Sequence, residues 1–405
     1  MTMTMMTTMT TSSGTRGRIR TLTAFTCLLF LGTTASAQDT LANAVRFLVT
    51  NQAVQTGDFE RDREAAETAH ETIARALLLD LAAAPIGTSS GGFLYRLNPE
   101  LGTVERASEN FGTFFVERAL LGGAGNVSFG MTGSTVGYDR LNGSALRDGS
   151  FVTVANHFRG ETAPFDTESL TMRLRTETMR IFANVGVLDE LELGIVVPFA
   201  RLTLEGERTN VYRGTPFVQA TATGSASGLG DVALRAKYGL FNSRTTSLAA
   251  AGELRLPTGD EENLLGAGSM SWRLLGVASF ESGPVGVHVN GGVVLGGIAD
   301  EIVLAGALAV ALHPRATFTT ELVRRHVSGM GAFEMTAAPH PSVSGVDTIR
   351  LTTSLDSSSL VTAATGIKWN VTDTVVLGGQ LVWALSDRGL TAPVTPTIGL
   401  EYSIR

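Results

Sequence analysis

One histidine–serine pair in the sequence could support nucleophilic chemistry. His326 and Ser328 stand close together beside the basic Arg325, and Glu334 is the only close acid. A histidine can activate a serine hydroxyl when a carboxylate orients its ring. No oxyanion donor is evident around the pair, so we expect a strand end with solvated basic residues and no enzymatic activity. A barrel hydrolase that uses His326 and Ser328 is the alternative.

An acidic run offers a second type of chemistry. Asp260, Glu261, Glu262 and Asn263 place several oxygen atoms in one segment. Hard cations such as Ca²⁺ require about 6–8 oxygen ligands, and the run has no EF-hand spacing. We therefore expect a solvated acidic loop, and we predict neither a metal nor a cofactor.

Charged residues of both signs form the third group, because they recur at alternate positions of several segments. Alternation of this kind places them on one face of a strand. We expect them to line a lumen, where rings of charge tune solute selectivity, although a purely structural ladder of ion pairs is the other interpretation. The candidates are Arg173, Arg175, Glu177, Asp231, Arg235, Lys237, Glu253, Arg255, Arg273 and Glu401.

The elements that would position these side chains are short strands with a period of two. At the C-terminal end, Ile398, Leu400 and Tyr402 alternate with Gly399 and Glu401. Twelve segments have this pattern or a related one, and they lie near residues 126–138, 169–186, 191–205, 229–241, 246–257, 269–280, 285–296, 301–312, 316–326, 359–369, 374–386 and 394–404.

The connections between these segments alternate between short turns and long loops. The long loops are predicted at residues 139–168, 206–228, 257–268 and 327–358. Short turns at one rim and long loops at the other are typical of outer-membrane barrels. We therefore predict an all-β fold, a transmembrane antiparallel up-and-down β-barrel of twelve strands with apolar residues facing lipid.

Three alternatives to this architecture remain. Fourteen strands would form if residues 111–121 pair and a long loop hides another strand. A soluble periplasmic β-sandwich would account for the same alternation. A transmembrane helix within residues 285–312 is opposed by the glycines and charges in that stretch.

The N-terminus has the order of a secretory signal peptide. Basic residues between Arg16 and Arg20 precede an apolar run at residues 22–32, and Ala35-Ser36-Ala37 follows. We expect residues 1–37 to be removed by cleavage after Ala37. The only cysteine, Cys27, lies inside this peptide, so the mature chain would contain no disulfide.

Residues 38–110 are predicted to form an N-terminal helical and irregular segment ahead of a barrel at residues 111–405. Asp58 is a suitable N-cap for a helix that Pro85 would end, and a small hairpin is expected around residues 92–106. Two interpretations of this segment are open: a periplasmic or membrane-surface domain, or a plug in the barrel.

Three runs resemble a known family. Residues 111–119 read FGTFFVERA, residues 228–238 read GLGDVALRAKY, and residues 254–266 read LRLPTGDEENLLG. Together they resemble the outer-membrane barrels assigned to a MetA pathway of phenol degradation, which are similar to FadL/TodX-type channels for hydrophobic compounds. The resemblance implies a transport channel and carries over no catalytic residue.

These observations lead to one expected function. We expect an outer-membrane channel for passive passage of small solutes, hydrophobic ones included, with a non-conducting structural or adhesive barrel as the alternative. Its expected partners are outer-membrane lipid, a small-molecule solute and the barrel-assembly machinery. The net charge is −7 and no basic stripe is present, so nucleic-acid binding is not expected.

Overall fold

The computed structural model describes residues 40–83, 95–98, 103–106, 108–354, 356–372 and 374–404. The predicted signal peptide lies outside these residues. Within them the chain forms two helices, α1 (Leu41–Val49) and α2 (Phe59–Ala83). Thr40 caps α1 through the N–H of Asn43, and Asp58 caps α2 through the N–H of Arg61, as side-chain oxygens do at helix N-termini.

The described residues also form twenty-one strands. In chain order they are β1 (Tyr95–Asn98), β2 (Thr103–Arg106), β3 (Val127–Gly137), β4 (Arg140–Leu141), β5 (Ser144–Ala145), β6 (Phe151–Phe158), β7 (Asp166–Gly186), β8 (Leu191–Tyr212), β9 (Thr215–Leu229), β10 (Ala233–Asn242), β11 (Thr246–Arg255), β12 (Ser271–Ser282), β13 (Val285–Gly296), β14 (Glu301–His313), β15 (Ala316–Val327), β16 (Phe333–Pro339), β17 (Val346–Thr353), β18 (Ser358–Thr372), β19 (Val375–Ala384), β20 (Leu390–Thr391) and β21 (Thr395–Ile404). Strands β1 and β2 pair as the predicted small hairpin.

Twelve of these strands close into one antiparallel barrel. They are β3, β7, β8, β10, β11, β12, β13, β14, β15, β18, β19 and β21. Each pairs with the next, and β21 pairs with β3, so that Thr397 lies opposite Ser134. The predicted twelve-stranded up-and-down barrel is confirmed. The fourteen-strand alternative is wrong, because residues 111–121, all of them described, form no strand.

The two rims of the barrel differ in their connections. Turns of two to four residues join β7 to β8, β10 to β11, β12 to β13, β14 to β15 and β18 to β19. We call this end the turn rim and the opposite end the loop rim. Chain segments of up to about thirty residues join the strands at the loop rim.

The outer surface of the barrel is apolar and uncovered. On β14, Leu304 is 54% exposed, and on β21 Ile398 is 71% exposed, whereas Glu301 and Glu401 of the same strands are buried inside. Such a continuous apolar exterior requires lipid contact. Residues 285–312 form most of β13 and β14 rather than a helix, and neither described helix has the length and apolar character needed to cross a membrane.

A sheet extension continues the barrel wall beyond the loop rim. It consists of the outer parts of β7 and β8, with β6, β17 and β16 added on one side and β9 on the other. The segments predicted as loops at residues 139–168, 206–228 and 327–358 therefore contain strands, and that part of the prediction is wrong. Helices α1 and α2 pack on this extension and form its apolar core with residues such as Leu170 and Leu202.

Two glycines allow α1 to lie against the extension. A Cβ atom at Gly206 would come 2.3 Å from Leu48 Cδ1, and one at Gly224 would come 2.8 Å from Leu41 Cδ2. Because cores are packed at crystal-like density, the absence of side chains at these two positions sets how closely α1 approaches the sheet.

Candidate functional site

A stretch of irregular backbone occupies the turn-side half of the lumen. Residues 108–121, here called the luminal segment, form neither helix nor strand. Buried N–H groups in such a segment need acceptors, and side chains of the wall supply them. The N–H of Phe111 donates to Thr317 Oγ1 at 2.9 Å, and the N–H of Ala119 donates to Ser279 Oγ at 2.9 Å.

Glu321 on β15 is the principal anchor of the luminal segment. Its carboxylate accepts N–H donors from Phe114 and Phe115 at 2.8 Å and from Val116 at 2.9 Å. Hydrogen bonds to an ionised acceptor are roughly twice as strong as neutral ones. Three of them from consecutive residues fix the height of the segment in the lumen.

The wall also has a recess for the ring of Phe114. A Cβ atom at Gly378 would lie 2.7 Å from Phe114 Cε1, and one at Gly366 would lie 2.9 Å from Phe114 Cε2. The ammonium of Lys368 stands 4.9 Å from the ring centroid, within the range of a cation–π contact. The ring can therefore lie against the wall only because both positions are glycine.

Charged groups complete the attachment of the luminal segment. Glu117 accepts a hydrogen bond from Arg235 and lies 3.9 Å from the Lys237 ammonium. Lys237 Nζ donates to the carbonyls of Arg118 and Leu120 at 3.1 Å each. Because buried charges are costly without partners, these contacts stabilise the segment only in its present position.

Helix α2 extends into the lumen from the loop rim, and the wall caps its C-terminal end. Arg325 Nη1 donates to the Leu79 carbonyl at 3.1 Å, and Arg180 Nη2 donates to the Leu81 carbonyl at 2.8 Å. The last carbonyls of a helix lack intrahelical donors and attract cations. Asp80 also accepts a hydrogen bond from the Tyr138 hydroxyl at 2.5 Å.

The other end of the helical pair is fixed by the sheet extension. Buried Arg208 donates to the carbonyls of Phe47 and Thr50 at the end of α1, and its Nε lies 3.6 Å from buried Glu168. Asp62 of α2 accepts from Arg350 Nε at 2.8 Å. Burial raises the pKa of Glu168, which lies beyond the barrel, to about 7.

A loop-side cavity of about 80 Å³ lies between the last turn of α2 and the wall. Its lining includes both apolar and charged residues. The residues that characterise it are Leu81, Arg180, Val196, Leu265, Arg273 and Glu301. A second cavity of about 80 Å³ separates Asp80 and Leu81 from Phe115 of the luminal segment.

Most of the predicted lumen residues occupy inward positions. Arg235, Lys237, Glu253, Arg255, Arg273 and Glu401 alternate with exposed outward residues on their strands. Asp231 precedes β10 and accepts from the N–H groups of Gly259 and Ala267 at 3.0 and 2.8 Å, so it fixes a loop at the rim. That these lumen residues influence the choice of solute stays a prediction.

The placement predicted for Arg173, Arg175 and Glu177 is wrong, because all three face outward and are exposed. The reason is an inversion of polarity along β7. In the sheet extension and at the loop-rim end of the barrel, where β7 still pairs with β3, the inner face of β7 packs on the helices with Met172 and Leu174, and its outer face is in water. Within the barrel, Ile181 instead faces outward and Arg180 faces inward.

The other two predicted chemical groups also have defined surroundings. His326 Nδ1 lies 3.2 Å from Ser359 Oγ, whereas Ser328 is exposed and donates its N–H to the Asp300 carbonyl. The described part of the chain therefore shows no His326–Ser328 hydrogen bond. Asp260 accepts from Asn263, and no group of three acidic, histidine or cysteine residues within the described ranges is arranged for a metal.

Sequence reasoning missed several charged residues of the lumen. Lys368 stands between the outward apolar Ile367 and Trp369, and Glu321 is followed by the outward Leu322, so a period-two signal was present at both positions. Glu117 and the α2 carbonyls could not be found in this way, because an irregular segment gives no periodicity from which to infer its contacts.

These features define a class of protein. A closed antiparallel barrel with an apolar exterior and a polar, ion-paired interior satisfies every backbone group without a free edge, as the hydrocarbon layer demands. The molecule is therefore a transmembrane β-barrel of the outer-membrane type.

Comparisons with known proteins found a family model and several solved structures that are similar to parts of this chain. Residues 154–297 match the model of the family described as "Putative MetA-pathway of phenol degradation", in line with the resemblance noted in the sequence. Among solved structures, the chain is similar to the COG4313 outer membrane channel from Pseudomonas putida F1, with 16% identity, a TM-score of 0.45, and coverage of 69% of this chain and 96% of that one. It is also similar to the Ralstonia pickettii toluene transporter TbuX, with 10% identity, a TM-score of 0.29, and coverage of 70% and 90%. No curated protein matches the chain.

Proposed function

We propose that this protein is an outer-membrane channel for the passive passage of small solutes, hydrophobic ones included, and that its own N-terminal residues close it in the conformation described. One observation carries the proposal. Glu321 holds consecutive backbone N–H groups of the luminal segment at 2.8–2.9 Å, so the lumen is occupied by a segment hydrogen-bonded to the wall rather than by a further strand. Such an obstruction can leave without unfolding the barrel.

The inner wall of the barrel is compatible with solute passage once the luminal segment and α2 have moved. Many inward residues are small and polar, including Thr132, Ser134, Thr178, Thr319 and Thr397. A barrel closed by bulky side chains would have no route through its centre, as a packed core has none. Here the wall side chains leave a bore wide enough to hold both α2 and the luminal segment.

The N-terminal residues act as the plug in this proposal. The segment 38–110 contains helices α1 and α2. Arg180 and Arg325 cap the C-terminal end of α2 inside the lumen. The last residues of the segment 38–110 begin the luminal segment on the turn side. The barrel domain predicted at residues 111–405 would then contribute Phe114 and Glu117 to the same closure, and the signal peptide 1–37 would be absent from the mature protein.

Orientation and assembly follow from the rims. Short connections in outer-membrane barrels lie on the periplasmic side and long ones outside, so the turn rim would be periplasmic and the helices would cover the external mouth. The barrel-assembly machinery would insert the chain after export.

Hydrophobic solutes are favoured by two observations. The loop-side cavity has apolar lining residues such as Leu81, Val196 and Leu265 on the route from the external mouth. The family match over residues 154–297 concerns phenol degradation, and phenol is a small molecule with a large apolar fraction.

Solute uptake by porin-deficient bacterial cells tests this function. Cells that produce the protein are compared with cells that carry an empty vector, using radiolabelled phenol and a neutral sugar of similar mass. Faster phenol entry supports the proposal. Equal entry of both solutes in the two strains, with the barrel shown to be folded, would favour a non-conducting structural or adhesive role.

A further inference from the structure

Charged groups of both signs surround the loop-side cavity. Four arginines face it or its rim: Arg180, Arg255, Arg273 and Arg325. Its carboxylates are already engaged. Glu301 accepts two hydrogen bonds from Arg325 at 2.7 and 2.6 Å, and Glu253 accepts one from Arg255 at 2.7 Å.

The remaining acceptors near the cavity are also occupied. Asp231 is bound by two backbone N–H groups of the rim loop. Asp80 accepts from Tyr138, and the Leu81 carbonyl accepts from Arg180. The C-terminal end of α2, which would otherwise repel an anion, is therefore neutralised by the wall.

Arg273 differs from every other arginine at this site. Across the part of the chain that the structure describes, its guanidinium makes no hydrogen bond and has no carboxylate within ion-pair distance. Its neighbours on the adjacent strands are Glu253 and Val294, and Glu253 is directed to Arg255. Glu253 and Glu301 attract this guanidinium electrostatically without a hydrogen bond to it, so its N–H donors are available to a ligand.

The chemistry of the ligand follows from the cavity walls. A guanidinium presents a planar fork of donors that matches a carboxylate. The lining also includes the apolar side chains of Leu81, Val196 and Leu265. The volume of about 80 Å³ is smaller than the roughly 150 Å³ of a cavity that holds benzene, so the apolar part must be short.

We propose that Arg273 binds the carboxylate of a small aliphatic monocarboxylic acid in this cavity, which Arg180 also lines, and that the carbon chain of the acid packs on the apolar residues of the lining. The site would thus select short organic acids at the external half of the lumen. This inference rests on the proposed channel function and names a solute class for it.

Thermal unfolding of the full mature protein in non-ionic detergent tests the site. Sodium chloride is replaced stepwise by sodium propionate at constant ionic strength, and propionamide serves as the uncharged analogue. Ligands that bind only the folded state raise Tm with concentration. We expect propionate to raise Tm and propionamide to leave it unchanged.

Three variants test whether the rise of Tm with propionate depends on Arg273. Arg273→Gln should raise the half-maximal propionate concentration about tenfold or more, because a hydrogen bond to a charged group is worth about 1.5–3 kcal/mol. Arg273→Lys should retain part of the response, and the outward-facing Arg175→Gln should retain all of it. An unchanged response in Arg273→Gln, or equal shifts with propionate and propionamide, would overturn the site.

The two proposals fail in distinguishable ways. Solute entry into cells without any propionate response in the purified protein would leave the channel intact and remove the anion site. A propionate response that depends on Arg273, in a protein that admits no solute, would retain the site and remove the channel.

Discussion

The carboxylate of Glu321 accepts a hydrogen bond from the backbone N–H of Val116 at 2.9 Å. A group fixed in the middle of strand β15 thus holds a residue that precedes the first barrel strand. Because Phe114 and Phe115 bind the same carboxylate, loss of this one side chain removes the acceptor of three buried donors. Closure of the lumen therefore depends on few residues, and each can be tested.

The recess for Phe114 provides the first prediction. In Gly378→Ala the added methyl group would overlap the ring at 2.7 Å, and overpacking of this kind costs about 1–3 kcal/mol. The ring should leave the wall and loosen the luminal segment, which we expect to appear as faster trypsin or chymotrypsin cleavage near Phe114. Gly379→Ala is the matched control, because nothing lies within 4 Å of that position. Equal cleavage in both variants would contradict the packing role of Gly378.

The ion pair of Arg325 and Glu301 provides the second prediction. Both side chains are buried and are joined at 2.6 Å. Arg325→Gln leaves a buried carboxylate and an uncapped Leu79 carbonyl, so it should lower the free energy of unfolding by about 3–5 kcal/mol. Arg325→Gln with Glu301→Gln should recover much of that loss, measured by urea unfolding in lipid vesicles. Additive losses in the double variant would show that the two groups act independently.

The apolar exterior provides the third prediction. Leu308 faces outward near the middle of β14. Leu308→Arg should lower the free energy of unfolding in a bilayer by about 2–4 kcal/mol. Arg175→Leu should change it little, because Arg175 is exposed at the loop-rim end of the barrel, opposite Gly137 of β3. Unfolding in vesicles of matched composition gives both values. Similar changes in the free energy of unfolding for the two variants would contradict the placement of Leu308 in the membrane and of Arg175 outside it.

Glu168 provides a prediction about pH. Burial raises its pKa in the folded protein from 4.5 to about 7. Between these values the folded state binds more protons than the unfolded state, so stability falls as pH rises through this interval. The contribution is fully present below about pH 4.5 and is lost above about pH 7.

Thermal unfolding of wild type and Glu168→Gln across pH 4 to 8 measures this contribution. The variant cannot ionise at this position, so its Tm should decline less than that of wild type as pH rises. A steeper decline in the variant would indicate that Glu168 is ionised throughout and stabilised by Arg208.

The barrel strands could be predicted from the sequence because lipid on one side and a polar lumen on the other impose a period of two. Ile398 and Leu400 alternate with Gly399 and Glu401 for that reason. Strand β9 escaped prediction, since residues 220–227 read ATATGSAS and lack that contrast. Its inner face packs small residues such as Ala222 against α1, so neither face is strongly apolar.

The site was less predictable for a different physical reason. Arg173 and Arg175 have the same alternation as true lumen residues, but the solvent outside β7 changes from lipid to water along its length. A sequence pattern reports the two faces of a strand without reporting which medium each face meets. The contacts of Phe114, Val116 and Glu117 depend on tertiary position alone.

Single-channel conductance of the mature protein in a planar bilayer tests whether the luminal segment closes the lumen. Glu321→Gln is compared with wild type and with Glu334→Gln, whose exposed position in β16 makes it the control. An amide presents one acceptor where the carboxylate presented two, so the luminal segment should loosen in the first variant only. We expect larger or more frequent openings for Glu321→Gln than for both other proteins. Identical conductance in all three folded proteins would contradict closure of the lumen by the Glu321-bound segment.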